Sequence, residues 1–90
     1  MLYITAVHMT GQGAGHEHIG SVKWTNTADG KSSESTRTTI VDWIENMNGV
    51  AKVKSGTTEV AVGVVNASPK YLRTHADGVW TDNLLALPRY

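Results

Sequence analysis

The chain has 90 residues, no cysteine, and eight basic against eight acidic side chains, so its formal net charge is zero. This length predicts one domain, over residues 1–90. Disulfides and thiolate metal sites are excluded, and no basic excess favours DNA binding. No apolar run is long enough to span a bilayer, and the start of the chain lacks the features of a signal peptide. We therefore expect a cytoplasmic protein that binds neither membranes nor, as its main partner, nucleic acid.

Three strands are predicted in the first part of the chain. The segment LYITAVHM is rich in β-formers, and strict alternation places Leu2, Ile4 and Ala6 on one face. Its other face is also apolar, which predicts a strand covered on both sides. The glycine-rich segment GQGAGHEHIG connects it to a second strand, in which Val22 and Trp24 share a face. The turn ADGK and the short segment SSE then predict a hairpin.

Residues 36–48 carry the clearest helical pattern. Ser35 or Thr36 is the expected N-cap, because either hydroxyl can accept from the free N–H groups of the first turn. The pair Asn48-Gly49 is a typical left-handed stop. The apolar stripe at helical spacing consists of Ile40, Trp43, Ile44 and Met47.

The second half of the chain returns to a period of two. VAKVK, TTEVAVGVV and YLRTH are predicted strands, separated by turns or loops at Ser55-Gly56 and NASPK. The order of elements predicts an α+β fold, a mainly antiparallel sheet with one helix packed on one face. The expected core consists of Leu2, Ile4, Val22, Trp24, Ile40, Trp43, Ile44, Val60, Val62, Val64 and Leu72.

Four segments carry a resemblance to a known family: YITAVHM, HEHIGSVKWTN, STRTTIVDWIE and YLRTHADGVWTDNLLALPRY. In this order they resemble a family of small proteins of unknown function from Gram-positive bacteria and their phages. The resemblance implies a stand-alone domain. It brings no activity, cofactor or catalytic residue.

The glycine-rich segment GQGAGHEHIG has the pattern of neither a phosphate-binding loop nor a metal site. A phosphate-binding loop needs a helix directly after it, whereas a strand follows here. His16 and His18 are close in sequence, but no further ligand stands at a spacing that selects a metal. We therefore expect a hairpin loop, or a mobile flap in which His16 or His18 closes over a ligand. No nucleophile elbow is present, so we expect neither an enzyme nor a cofactor.

The strongest candidate surface lies on the later strands. Tyr71 and Arg73 share a face of one strand, and Lys52 and Lys54 share a face of another. On the face away from the helix they would form basic walls that bind a phosphate and an aromatic platform that stacks a base. An ordinary solvated face, or one covered by a second subunit, is the alternative. The predicted ligand-binding residues are Tyr71, Arg73, Lys52, Lys54, Trp80, Asn83, Arg37 and His18.

Arg37 is unusual because it stands at a helix N-terminus, where the helix dipole disfavours a cation. It either reaches an anion held at that terminus or pairs with Glu34, and the pattern favours the pair with Glu34.

Three functions are compatible with these features. The first is a non-enzymatic binding protein that sequesters an anionic small molecule; by analogy with small phage proteins, this would be a nucleotide signal of host immunity. The second is an interaction module that docks on a host protein, and the third is a weak nucleic-acid binder. The apolar segments LYITAV and NLLALP predict a covered sheet edge or a homo-oligomer.

Overall fold

The computed structural model describes residues 1–11 and 13–90, so Gln12 of the glycine-rich segment lies outside the described residues. These residues form one sheet and one α-helix. The strands are β1 (Leu2–Met9), β2 (Ile19–Asn26), β3 (Ser32–Thr36), β4 (Ala51–Ser55), β5 (Thr58–Val65), β6 (Tyr71–Ala76) and β7 (Val79–Thr81); the helix is α1 (Arg37–Asn46), and a 3₁₀ turn covers His16–His18.

The order of strands across the sheet is β3-β2-β1-β4-β5-β6-β7. All neighbours are antiparallel except β1 and β4, which are parallel. The chain reaches the edge strand β3, crosses back through α1 and re-enters the sheet beside β1, which is the long connection that a parallel pair needs. The α+β fold and the mainly antiparallel sheet are therefore confirmed, and the sheet is mixed.

The two faces of the sheet differ in what they carry. The helix contacts β2, β3, β5 and β6, and we call the face on which it packs the inner face. The opposite, outer face carries the alternating residues that remain partly exposed. Val60, Val62 and Leu72 mark the inner face, whereas Tyr3 and Lys52 mark the outer face.

One irregularity in β1 changes which residues are buried. The register between β1 and β2 shifts between Ile4 and Ala6, which is the signature of a β-bulge. Beyond it, Val7 pairs with Val22 and both side chains are fully buried. Strict alternation, which grouped Ala6 with Ile4 and placed Val7 on the other face, is wrong here because the inserted Thr5 reverses the side-chain direction.

The helix begins as predicted and ends earlier. The Thr36 hydroxyl accepts a hydrogen bond from the Thr39 N–H at 3.3 Å, so Thr36 is the N-cap. The last helical residue is Asn46, two residues before the predicted boundary at 48. The helix ends there because Asn48 has a left-handed backbone (φ 54°) and the Gly49 N–H donates back to the Trp43 carbonyl at 2.9 Å. Among the described residues, no helix has the length and apolar character that crossing a membrane would need.

The core contains the predicted residues and several that the sequence pattern missed. Of the predicted set, seven are buried and four, Trp24, Trp43, Ile44 and Val64, are partly buried against them. The larger side chains that were not predicted are Val7, Ile19, Val41, Val53 and Leu84.

The segment after β7 completes the core from the far end of the chain. Leu84 is fully buried, and residue Arg89 forms a parallel bridge with Val7 of β1. The Val7 N–H donates to the Pro88 carbonyl at 2.9 Å, and the Tyr90 N–H donates to the Val7 carbonyl at 3.2 Å. The apolar segment NLLALP thus packs within the same chain, from Thr74 of β6 at Leu84 to Val7 of β1 at Pro88.

Candidate functional site

A row of side chains crosses the outer face of the sheet. Strand register pairs Tyr3 with Lys52, Lys52 with Ala61, Ala61 with His75 and His75 with Trp80. Directly paired residues project from the same face. The row therefore places the Tyr3 ring of β1 beside the Lys52 side chain of β4, with the small side chain of Ala61 on the other side of Lys52.

A cleft of about 640 Å³ on this face lies at one end of the parallel strand pair. Tyr3, Lys52 and Lys54 line it together with residues 56–59 of the β4–β5 hairpin. The Lys54 ammonium lies 4.6 Å from the centre of the Tyr3 ring, within cation–π range. The Lys52 ammonium lies 3.9 Å from the Glu59 carboxylate, both side chains being about one-third exposed. We call this site the lysine cleft.

The charges of the lysine cleft favour an anion. Two ammonium groups face one carboxylate, and the Lys52–Glu59 pair is long and solvated, so it holds the lysine weakly. Each ammonium has three donors for phosphate or carboxylate oxygens. The Tyr3 ring adds a flat apolar surface of the kind on which a base or another ring stacks.

Arg73 shares the outer face with the lysines but is engaged elsewhere. Its Nη2 donates to the Asp82 carboxylate at 2.8 Å, and its Nε donates to the Thr81 carbonyl at 3.2 Å. Trp80 packs edge-on against His75, with ring centres 5.5 Å apart. The structure thus brings Lys52 and Lys54 together but directs Arg73 towards the segment after β7.

Tyr71 also lies away from the lysine cleft. It pairs with Val65 at the end of β5, further along the strand than Gly63, which pairs with Arg73. Asn83 follows Asp82 in the chain and is partly buried. Both residues therefore belong with Arg73 rather than with the lysines.

The 3₁₀ turn contacts β6 and buries one histidine there. The His16 side chain is 8% exposed, and its Nε2 lies 3.8 Å from the Asp82 carboxylate. Within residues 1–11 and 13–90, this nitrogen has no hydrogen-bond partner. Burial lowers the pKa of His16 below 6.5, and the nearby Arg73 lowers it further, whereas the carboxylates of Asp82 and Glu17 act in the opposite direction. His16 is therefore neutral at pH 7 and anchors the turn.

Two other predicted residues surround the same turn. Arg37 Nη1 donates to the Glu17 carbonyl at 2.9 Å, which corrects the ion pair with Glu34 that the sequence favoured. The His18 ring lies where a side chain on Gly13 would stand, and its Nε2 is 3.6 Å from the Glu17 carboxylate. The second half of the glycine-rich segment is therefore docked on the domain, and the segment connects β1 to β2 as expected.

The structure thus places Lys52 and Lys54 at the lysine cleft. It places Arg73, Arg37 and His18 around the 3₁₀ turn, whereas Trp80 lies against His75 at the β7 edge of the sheet. One residue of the lysine cleft, Tyr3, was missed because its partner strand was not known. His16 was predicted as a residue of a flap, but its burial was not predicted. Among residues 1–11 and 13–90, no three histidine, aspartate or glutamate side chains are grouped as a metal site would require.

The fold and the lysine cleft define a small α+β domain with an open basic site on the face that the helix leaves uncovered. The chain belongs to the family described as protein of unknown function (DUF3892), whose family model matches residues 3–88. The match confirms the resemblance to a family of unknown function and assigns no activity. Searches of curated proteins and of solved structures gave no significant match.

Proposed function

We propose that the protein is a non-enzymatic binder of a phosphate-bearing small molecule, such as a nucleotide, and that the ligand occupies the lysine cleft. One observation carries the proposal: Tyr3, Lys52 and Lys54, from two parallel strands, converge on one open cleft of about 640 Å³. This volume is within the range of small-molecule sites.

The chemistry assigns a role to each group. The phosphate accepts hydrogen bonds from the Lys52 and Lys54 ammonium groups, and the base lies against the Tyr3 ring. Glu59 competes with the phosphate for Lys52, so ligand binding replaces the 3.9 Å pair. A binder of this kind acts by stoichiometric capture. We therefore include in the proposal that it sequesters a nucleotide signal of an immune response in a Gram-positive bacterium or its phage.

Titration calorimetry with AMP, GMP, CMP, UMP and inorganic phosphate tests the proposal. We expect at least one nucleotide to bind and to bind more tightly than phosphate. Replacing both Lys52 and Lys54 by alanine should weaken binding by about 100-fold, since each charge-assisted contact contributes about 1.5 kcal/mol. Lys31→Ala is the matched control, because Lys31 lies in the β2–β3 turn outside the cleft.

A second variant tests whether the charge of Glu59 opposes ligand binding. Glu59→Gln removes the carboxylate that competes for Lys52 and should strengthen nucleotide binding by severalfold. If no nucleotide binds, or if the double lysine variant binds as well as the Lys31→Ala control, the proposal is wrong.

An interaction module is the second candidate, and the sheet edge at β7 favours it. Val79 and Trp80 are 63% and 42% exposed on this outermost strand, and an exposed apolar edge strand readily pairs with another chain. Under this alternative, a purified host protein forms a stoichiometric complex that Val79→Lys disrupts and Lys52→Ala does not.

A further inference from the structure

The lysine cleft continues into two further clefts on the outer face. A cleft of about 410 Å³ shares Tyr3 and Lys54 with it and is also lined by Thr5 and Thr25. A third, of about 370 Å³, shares Thr5 with the second and is lined by Lys23 and residues 32–34. Because neighbouring clefts share these residues, the three clefts follow one another across β4, β1, β2 and β3, and we call this row of clefts the outer groove.

The lysine–tyrosine arrangement of the cleft is repeated further along this face. The Lys23 ammonium lies 4.6 Å from the centre of the Tyr90 ring, the same separation as between Lys54 and Tyr3. The Tyr90 hydroxyl donates to the Ser21 hydroxyl at 3.1 Å, which holds the ring on β2. Burial raises the pKa of Tyr90 and the nearby Glu34 carboxylate raises it further, whereas the hydrogen bond with Ser21 acts in the opposite direction.

The lysines of the two pairs, Lys54 on β4 and Lys23 on β2, stand on the strands that flank β1. At the usual strand spacing, the backbones of β4 and β2 lie about 10 Å apart. Both ammonium groups sit on flexible four-carbon stems. They can therefore approach neighbouring phosphates of a single ligand from opposite sides of β1.

We propose that the outer groove binds a dinucleotide, with one phosphate at Lys52 and Lys54, the second at Lys23, and one base on each tyrosine ring. This inference rests on the proposed function and specifies its substrate class. It extends the ligand from one nucleotide to two because Lys23, which lines the third cleft, lies over the Tyr90 ring as Lys54 of the lysine cleft lies over the Tyr3 ring.

A carboxylate at each end of the outer groove favours a ligand of two nucleotides over a longer one. Glu59 lines the groove at its β5 end and Glu34 lines it at the edge strand β3. Each proposed phosphate has a lysine beside it that offsets the nearby carboxylate. A further phosphate of a longer strand would meet Glu59 or Glu34 after these lysines are already occupied, where like charges repel. A dinucleotide leaves both ends free, which is why we favour it over single-stranded nucleic acid.

The test compares AMP, the 5′-phosphorylated dinucleotide pApA and the trinucleotide pApApA by titration calorimetry. The dinucleotide should bind about tenfold or more tightly than AMP, because a second stacked base and a second phosphate contact are gained. The trinucleotide should bind no more tightly than the dinucleotide. Lys23→Ala should lower the pApA affinity to that of AMP and leave AMP binding unchanged.

The controls separate this inference from the proposed function. Lys31→Ala should bind all three ligands as the unaltered chain does, and circular dichroism should show that Lys23→Ala remains folded. Equal affinities for AMP and pApA would refute the dinucleotide proposal but would not contradict the proposal that the lysine cleft binds a nucleotide. An affinity that keeps rising with length would identify single-stranded nucleic acid instead, and no binding of any of the three would overturn both proposals.

Discussion

Thr74 is a fully buried polar residue on the inner face of β6, and its hydroxyl joins two segments of the chain. It donates to the Thr81 carbonyl at 3.1 Å and accepts from the Thr81 hydroxyl at 2.8 Å. It also accepts from the Leu84 N–H at 3.3 Å. We therefore predict that this hydroxyl holds the segment after β7 in place.

Replacing Thr74 by valine keeps the shape and removes the hydroxyl. The Leu84 N–H then has no acceptor in a fully buried position, which costs about 1–3 kcal/mol. For a domain of this size, about 2 kcal/mol lowers the melting temperature by about 8–16 °C. Thr74→Ser keeps the hydroxyl and loses one buried methyl group, so it should cost only about 0.8 kcal/mol.

Urea unfolding of both variants measures the free energies, and hydrogen exchange of the Leu84 amide measures the local effect. Thr74→Val should be the less stable variant and should expose this amide to faster exchange. A double-mutant cycle with Thr81→Val should give a coupling energy of at least about 0.5 kcal/mol. If Thr74→Val is as stable as Thr74→Ser and protects the Leu84 amide equally, the hydroxyl does not hold this segment.

Three further predictions concern the rest of the domain. Folding lowers the pKa of His16 from its ordinary value of 6.5, so the unfolded chain binds more protons than the folded chain once the pH falls below that value. The free energy of unfolding should therefore decrease as the pH drops from about 7.5 to 5.5. In urea titrations, His16→Gln should lose this pH dependence, and the control His75→Gln should keep it. Gly49→Ala should cost about 1–3 kcal/mol and red-shift tryptophan fluorescence, because a methyl group there overlaps the Trp43 ring; an unshifted spectrum would contradict this. Light scattering tests the predicted homo-oligomer, and the mass of one chain would refute it.

Local patterns predicted most of the fold because each reports on a single element. The period of two in β5 placed Val60 and Val62 on the inner face, and both are buried. The helical stripe and its threonine cap predicted α1 to within two residues of each end. These signals are contained in a few consecutive residues, so no knowledge of the partner strand is needed.

The remaining features depend on contacts between distant segments. The bulge at Thr5 appears only when β1 is aligned with β2. The burial of Leu84 requires that the segment after β7 fold back onto the core, where the Leu84 N–H donates to the Thr74 hydroxyl of β6. The same holds for the site: alternation placed Lys52 and Lys54 on one face, but Tyr3 joins them only through the parallel pairing of β1 with β4.

This parallel pairing couples the lysine cleft to the core. Ala51 and Val53 alternate with Lys52 and Lys54, and both apolar side chains are 1% exposed. A slip of β4 by one residue would turn the lysines towards the helix and the apolar residues towards water, so burial of Ala51 and Val53 fixes the direction of both lysines. The buried cluster that Ala51 and Val53 share with Ile40 and Val41 of α1 supplies the inner-face packing that selects this register. A substitution that loosens the helix on the sheet should therefore weaken anion binding at the cleft, although no helix residue lines it.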